Sequence, residues 1–483
     1  MSSFLAFLPE LILLAGALGL FVVALGDGRV RLARTVSLLT ATGMLLAALF
    51  TFGQQMVMFD GAYRVDGFSQ FLKIVIGFGY VCVVLLSGEL RDIRGEAKPE
   101  YYLFIALSLI GLTLLVSSID VITLVVSLEL SSFALYLLVP MRRERAGQRA
   151  QMESAIKYLM FGVAATGVML FGFSYLYGLT GSTSLPVILA KLPPLLASSN
   201  SSLAIVGLAL ALAGLLYKLA VFPFHFWTPD VYEGAANETS GLIASLPKVG
   251  AVAVLVRLVS LATPEHAAFA TLLTCLAVAS MVYGNLIALV QTDFKRLLGF
   301  SGIAHAGYAL IGFVALDDAG YAAALYYISG YMLMVLACFV VICHVSPDGA
   351  NVSVADLAGL HRRSPLLAVT LLVGVFALAG IPPFVGFMAK LSLLTAALDK
   401  GHLALVVVAV INSAIAIYYY LRIVRTAFFG ESEGIPARIQ LAWPVAALCL
   451  LLIAGITALG VVPATVVDTI SRSLAAIKFP PLG

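Results

Sequence analysis

Charge is what this sequence has least of. Its 483 residues hold 28 Lys+Arg and 25 Asp+Glu, a charged share of 11%, less than half of the roughly 25% usual in soluble domains. The net charge of +3 and the absence of any long basic run give nucleic acid nothing to bind. Cysteine is also sparse. Cys82, Cys275, Cys338, Cys343 and Cys449 stand singly in apolar surroundings, with no CxxC pair or Cys/His cluster. A bound Fe–S cluster, haem, structural zinc or other metal is therefore not expected in this chain. There is no G-x-x-x-x-G-K-[ST] phosphate loop, which argues against an ATP-driven pump. The first residues lack a basic n-region and a small-residue cleavage site, so they are read as a retained first span.

What fills the sequence is apolar: 61% of the residues are hydrophobic. A soluble protein of this size could not hide that much apolar surface, and a single anchor on a soluble body would not use it. A transmembrane β-barrel would alternate polar and apolar residues. Here the apolar runs are continuous, as in residues 209–221 and 366–381. The fold class is an all-α polytopic membrane protein.

At roughly 20 apolar residues per crossing, hydropathy predicts fourteen spans: 5–25, 32–52, 68–88, 102–118, 120–140, 154–177, 203–226, 240–262, 268–290, 297–316, 321–345, 366–398, 402–428 and 440–462. The 366–398 segment is too long for one straight helix. Gly380, Pro382, Pro383 and Gly386 interrupt it, so it reads as two half-helices. The tail from Pro463 reads as a short surface helix.

The loops alternate in charge. One set carries Arg29, Arg31, Arg34, Arg91, Arg94, Lys98, Arg142, Arg143, Arg145, Arg149, Lys295, Arg296, Arg362, Arg363, Arg422, Arg425 and Arg438, which is seventeen. The opposite set has five: Arg64, Lys191, Lys400, Arg472 and Lys478. By the positive-inside rule the first set faces the cytoplasm, and fourteen spans then put both termini outside.

Six basic residues remain: Lys73, Lys157, Lys218, Lys248, Arg257 and Lys390, all inside or near the ends of apolar spans. A charge near the bilayer centre costs at least about 2.5–3.5 kcal/mol, so such residues are functional, paired or snorkelling. Lys218 is deep in its span with Pro223 five residues on, and Lys390 follows the second interruption. A desolvated lysine beside a broken helix can exchange a proton near neutral pH. The reversed order of lysine and break in the two halves is what inverted repeats would give. Glu129 is mid-span and needs a nearby cation; Lys218 is its expected partner, the two titrating as one unit. Lys248 follows Pro247, and His305 sits among small residues. Both suit a proton relay, against the plainer readings of snorkelling and a backbone-bonded histidine. Lys157 lies only a few residues into its span, where snorkelling competes with a relay role. His225 stands at the inner end of its span as a possible gate. Lys73 and Arg257 read as interfacial, Asp230 and Glu233 as cap or loop residues, and His344 and His361 are given no role. No nucleophile–base set appears.

The run YKLAVFPFHFWTPDVYEGA (residues 217–235) closely resembles the signature of the subunit N family of proton-translocating NADH-quinone oxidoreductase, respiratory complex I. FDGAYRVDGFSQFLK (59–73), ESAIKYLMFG (153–162), QTDFKRLLGFSGIAHAGY (291–308) and AGIPPFVGFMAK (379–390) support it, and the resemblance covers essentially the whole chain. It implies three N-terminal helices (1–100), a five-helix repeat of helices 4–8 (101–265), its inverted counterpart of helices 9–13 (266–430), and a last helix with the tail (431–483). Broken helices 7 and 12 would fall one in each repeat. It implies proton-pathway roles for Glu129, Lys218, Lys248, His305 and Lys390, with Lys157 also at a family position. It implies no cofactor in this chain, with NADH, FMN, Fe–S clusters and quinone in partner subunits. The partners implied are a neighbouring antiporter-like subunit and a small connecting subunit of the membrane arm. One stretch departs: after DVYEGA the family usually runs into a Pro-Thr-Pro-Val-like segment, whereas residues 236–248 here read ANETSGLIASLPK. That puts the local helix start in question, and with it the geometry of proton uptake.

Three rivals share these features. A cation/proton antiporter subunit would use the same buried lysines without a redox partner. A scaffold would keep them as fossils. A hydrogenase-type or other donor-linked complex would use the same module with another electron source.

Overall fold

The structure is a computed structural model that describes residues 2–26, 29–144, 150–196, 201–260, 267–430 and 438–475. Arg145, Arg149 and Lys478 of the loop-charge argument lie outside the described residues, as do positions 265, 266 and 431 at the expected repeat boundaries. The described chain is almost entirely helical, with one short hairpin, Met56–Met58 paired antiparallel with Tyr63–Val65.

Twelve described helices are long and apolar enough to cross a membrane. They coincide with twelve of the fourteen expected spans. The other two expected spans are shorter helices. Residues 5–25 contain Leu8–Ala24, and 366–398 is split into Pro365–Ala379 and Val385–Asp399 around Gly380. Gly380 has φ +85°, a conformation that ends a helix and favours glycine. The expected break of span 203–226 is also present. Ala213–Leu219 stops where Ala220 turns left-handed (φ +68°), and the chain resumes as Trp227–Gly234. The tail from Pro463 forms the helix Pro463–Ala475.

Capping residues mark several starts. Asp66 accepts from Ser69 N at 2.7 Å and its own N–H donates to Ser69 Oγ, a reciprocal cap for Gly67–Leu86. Asp120, Asp293 and Asp317 cap Val121–Leu138, Phe294–Val314 and Asp318–Val345 through their carboxylates. The departing stretch 236–248 begins a regular helix, Asn237–Val259, which carries Lys248 unbroken through Pro247.

The layering follows from the solvent. The apolar windows of Asn237–Val259 and Phe294–Val314 are 100% buried and that of Asp318–Val345 is 94% buried. Those of Ala150–Thr180, Leu403–Phe429 and Trp443–Val461 are only 33% buried although equally apolar. The first group forms the centre. The second carries apolar side chains outward, as helices facing lipid do. Close crossings use glycine. A Cβ at Gly172 would lie 2.2 Å from Ala211 N, and one at Gly284 2.6 Å from Ala304 N.

Two expectations about charged side chains are corrected. Lys73 and Arg257 are not interfacial: both are buried. Lys73 Nζ lies 2.9 Å from Glu10 Oε1 and donates to Tyr63 Oη at 3.0 Å. Arg257 donates to Val116 O at 3.1 Å and lies 3.5 Å from Asp66. A buried charge needs a partner, and Glu10 and Asp66 come from distant turns that hydropathy alone could not bring together. Lys295, counted as a loop charge, is also buried and donates to Ala235 O at 2.7 Å.

Candidate functional site

The first-half break brings Lys218 against Val121–Leu138. Its Nζ donates to Ser132 Oγ at 2.6 Å, and Ser132 in turn donates to Leu128 O. Glu129 is one turn before Ser132 on the same helix. Its Oε1 accepts from Thr166 Oγ1 at 2.5 Å. Among the described residues Glu129 and Lys218 make no ion pair within 4.0 Å; each is held by a hydroxyl instead. Their attraction acts across that gap.

Sequence reasoning missed the aromatic wall beside this pair. Tyr136 and Tyr158 are 4.7 Å apart edge to face, and Tyr158 stacks on Trp227 at 4.6 Å. Tyr217 Oη donates to Tyr158 O, and Trp227 Nε1 donates to Tyr217 O at 3.0 Å. These rings pack the segment after the break onto the helix before it, which fixes where Lys218 points.

Lys248 is at the centre. Its Nζ donates to Gly302 O at 3.2 Å and lies 3.5 Å from Tyr331 Oη. Glycine at 302 makes this space: a Cβ there would sit 3.0 Å from Lys248 Nζ and 3.1 Å from Tyr331 Oη. The buried Tyr232 hydroxyl, without a hydrogen-bond partner among the described residues, lies 3.9 Å from the same point. Tyr232, from the helix after the first-half break, thus borders the same space beside Gly302.

His305 continues the line. Its Nδ1 is 2.6 Å from Tyr327 Oη and its Nε2 is 3.1 Å from Tyr420 Oη, with the Tyr331 ring 5.0 Å away. A neutral imidazole donates from one nitrogen and accepts at the other, and a hydroxyl can do either. The histidine can therefore pass a proton by exchanging roles with its two tyrosines. Tyr308 follows, bonded to Ala409 O and Ser413 Oγ. Lys390 Nζ lies 4.7 Å from the Tyr308 ring centre and donates to Leu378 O at 3.2 Å and Ala379 O at 3.1 Å. Those carbonyls are freed by the break at Gly380, so the second lysine is held by its own broken helix. The tyrosines carried no sequence signal of their own, being ordinary residues of apolar spans.

Two candidates lie off this line. Lys157 is 37% exposed and paired at 2.7 Å with both Asp230 and Glu153. It belongs to a polar face where Arg296 also holds Asp230 and Glu233, and Arg142 holds Asp92 and donates to Glu233 O. Burial raises the Asp230 carboxyl, but Lys157 and Arg296 outweigh it and hold it below its ordinary value. Burial pushes the nearby Asp293 carboxyl up. His225 lies inside the first break, buried between Phe226 and Tyr283 with ring centres 4.4 Å from each. Neither of its nitrogens has a hydrogen-bond partner among the described residues. Among those residues no group of three His, Cys, Asp or Glu could hold a metal.

Residues 118–416 match the family described as NADH:quinone oxidoreductase/Mrp antiporter, TM. NADH-quinone oxidoreductase subunit N 2 of Opitutus terrae is 73% identical over 478 residues, covering 99% of each chain. The chain belongs to the subunit N family of NADH-quinone oxidoreductase. The subunit N 2 of Solidesulfovibrio magneticus is 44% identical over 98% of each chain. Among solved structures, a chain of respiratory complex I from Thermus thermophilus superposes with a TM-score of 0.80 at 31% identity, covering 95% of this chain and 98% of that one. A chain of the Mrp complex from Dietzia superposes with a TM-score of 0.88 at 22% identity, covering 99% and 98%, which shows the shared fold. For this subunit N family member, the buried Lys218, Lys248, His305 and Lys390 and the half-buried Glu129 all lie within the matched span.

Proposed function

We propose that the chain is a proton-translocating membrane-arm subunit of NADH-quinone oxidoreductase. It acts as one subunit of a translocase and performs no redox chemistry itself. NADH, FMN, Fe–S clusters and quinone belong to partner subunits, among them a neighbouring antiporter-like subunit and a small connecting one. The family membership supports this division of labour. The chain lies in the bacterial inner membrane with both termini outside. Residues 101–265 and 266–430 act as two inverted repeats, broken at 220–226 and 380–384.

The observation that carries the mechanism is the chain of polar groups from Lys248 through Tyr331 and His305 with its tyrosines to Lys390. Each member can hold or release one proton in a site closed to bulk water. Protons enter from the cytoplasm near the first break, where His225 acts as a gate, and load Lys218. They pass to Lys248 and His305 and leave by way of Lys390. Lys157 serves the uptake face through Asp230. The hydroxyl-held separation of Glu129 and Lys218 is the open state of a charge pair. Redox energy from the partner subunits closes and opens it, changing the affinity of Lys218 for its proton. Moving one charge against 100 mV costs about 2.3 kcal/mol. A pair at about 4 Å and an effective dielectric of about 20 supplies about 4 kcal/mol.

The test is quinone-dependent proton uptake in inverted membrane vesicles, comparing the native chain with Lys218→Ala at equal assembly. Loss of pumping together with electron transfer is expected. Unchanged pumping overturns the reading.

A further inference from the structure

The stretch that departs from the family pattern places a carboxylate where the line described above has none. Glu238 is in the first turn of Asn237–Val259, 6% exposed, and its Oε2 has no hydrogen-bond partner among the described residues. Three more buried polar atoms nearby are also unpartnered: Tyr101 Oη, Thr239 Oγ1 and Ser87 Oγ. The Tyr101 hydroxyl lies beside the Thr239 and Ser87 hydroxyls without closing a short hydrogen bond to either, and the charge of Glu238 acts on it through space. Buried polar atoms without partners cost free energy unless water reaches them, so four converging on one place mark a site for ordered water.

A purely structural carboxylate would be expected to meet a cation directly, as Glu10 meets Lys73. Glu238 does not. Lys295, also buried, donates a hydrogen bond to Ala235 O, and no cation forms an ion pair with Glu238 within 4.0 Å among the described residues. The charges that act on it from surrounding elements are Lys295, Arg91 and Lys98 against Asp92. The neighbouring residue Asn237 ties this helix start to the loop beside a surface cleft. Asn237 Nδ2 donates to Gly349 O and Ala350 O. Ala350 lines a cleft of about 220 Å³ on the basic face, with Arg142, Arg143 and Glu233. At the other end Lys248 is ten residues along the same helix, a rise of about 15 Å.

We infer that Glu238, with the hydroxyls of Tyr101, Thr239 and Ser87, is a water-holding proton-loading carboxylate on the uptake side of Lys248. The step is a proton transfer without redox change. The neutral carboxylic acid gives its proton through water to the neutral Lys248 amine, leaving carboxylate and ammonium, and the carboxylate is reprotonated from the basic-face cleft. This inference rests on the proton line of the proposed function.

The experiment uses the assembled complex in inverted vesicles and compares Glu238→Gln, Glu238→Asp, Tyr101→Phe and, as the control on the line itself, Lys248→Ala. Glu238→Gln is expected to assemble and lower quinone-dependent pumping several-fold, with Glu238→Asp retaining part of it. Infrared spectra should lose a deuterium-sensitive carboxylic C=O band in Glu238→Gln. Native pumping and an unchanged band in Glu238→Gln, with pumping lost in Lys248→Ala, overturn the role of Glu238 alone. Native pumping in Lys248→Ala overturns the line beneath it. Should Glu238→Gln fail to assemble, Tyr101→Phe decides: slowed pumping supports the site, and native pumping overturns it.

Discussion

Lys73 and Glu10 set the energetic scale for single residues in this protein. Both are buried, 2.9 Å apart. Removing one charge leaves the other uncompensated in a medium of low dielectric, whereas replacing both with apolar groups can be nearly neutral. Lys73→Met is expected to cost about 3–5 kcal/mol of stability, and the double variant Lys73→Met, Glu10→Leu to recover most of it. Thermal unfolding of the solubilised complex checks both. A subtler case is Gly302. Its missing Cβ leaves the space that Lys248 Nζ and Tyr331 Oη occupy, 3.0 and 3.1 Å from where that carbon would lie. Gly302→Ala is expected to leave assembly intact while slowing pumping, because it displaces the lysine head and does little to the helix. Assembly on a native gel beside the vesicle assay separates the two effects. Glu129, Lys218, Lys248, His305 and Lys390 could be picked out of the sequence because ionisable residues in apolar runs are rare. Tyr327 and Tyr420 could not, because a tyrosine in a span is unremarkable until its hydroxyl is seen 2.6 or 3.1 Å from a histidine nitrogen.

For the elements, most of the architecture was legible and most of the pairing was not. Hydropathy located the helices, and Pro and Gly located the breaks, because a broken helix must contain residues that end helices. Which helices would be wholly buried was not visible. Asn237–Val259 and Leu403–Phe429 have nearly equal mean hydropathy, 1.9 and 2.0, yet one is central and the other faces outward. In lipid an outward face is as apolar as an inward one, so the amphipathic pattern that marks a surface helix in water is lost. Close packing does leave a trace, in glycine. Gly172→Leu would drive a side chain into Ala211, where a Cβ alone would lie 2.2 Å from the backbone nitrogen. The expected result is separation of Ala150–Thr180 from Ser201–Ala211 and loss of assembled subunit on a blot. The polar face between elements responds to acid. The Asp230 carboxyl is held below its ordinary value by Lys157 and Arg296, so its contribution is present above about pH 4 and disappears as pH falls through the lowered value. Acid titration of stability should therefore show a loss below about pH 4 that Asp230→Asn removes.

At the scale of the whole molecule, the loop charges make a prediction about orientation. The basic loops meet on one face, where Arg91 donates to Ser346 O, Arg142 to Asn351 Oδ1 and Arg422 to Gln291 O. The hairpin of Met56–Met58 and Tyr63–Val65 belongs to the opposite set of loops. In a Cys275→Ser background, Gly95→Cys is expected to react with an impermeant thiol reagent only from the cytoplasmic side, and Gln55→Cys only from the outside. Reversed labelling would overturn the orientation and with it the direction of transport.

The sequence by itself determined the membrane class, the helix positions, the two breaks and which ionisable residues fall inside apolar spans. Each is a local consequence of hydrophobic length, backbone chemistry or the cost of charge in lipid. Only the tertiary structure decided that Lys73 and Arg257 are paired inside the protein, that Glu129 and Lys218 are held apart by Ser132 and Thr166, and that tyrosines join His305 to its neighbours. Those are contacts between residues far apart in the chain, and nothing in a one-dimensional pattern records which distant side chain satisfies a buried polar group.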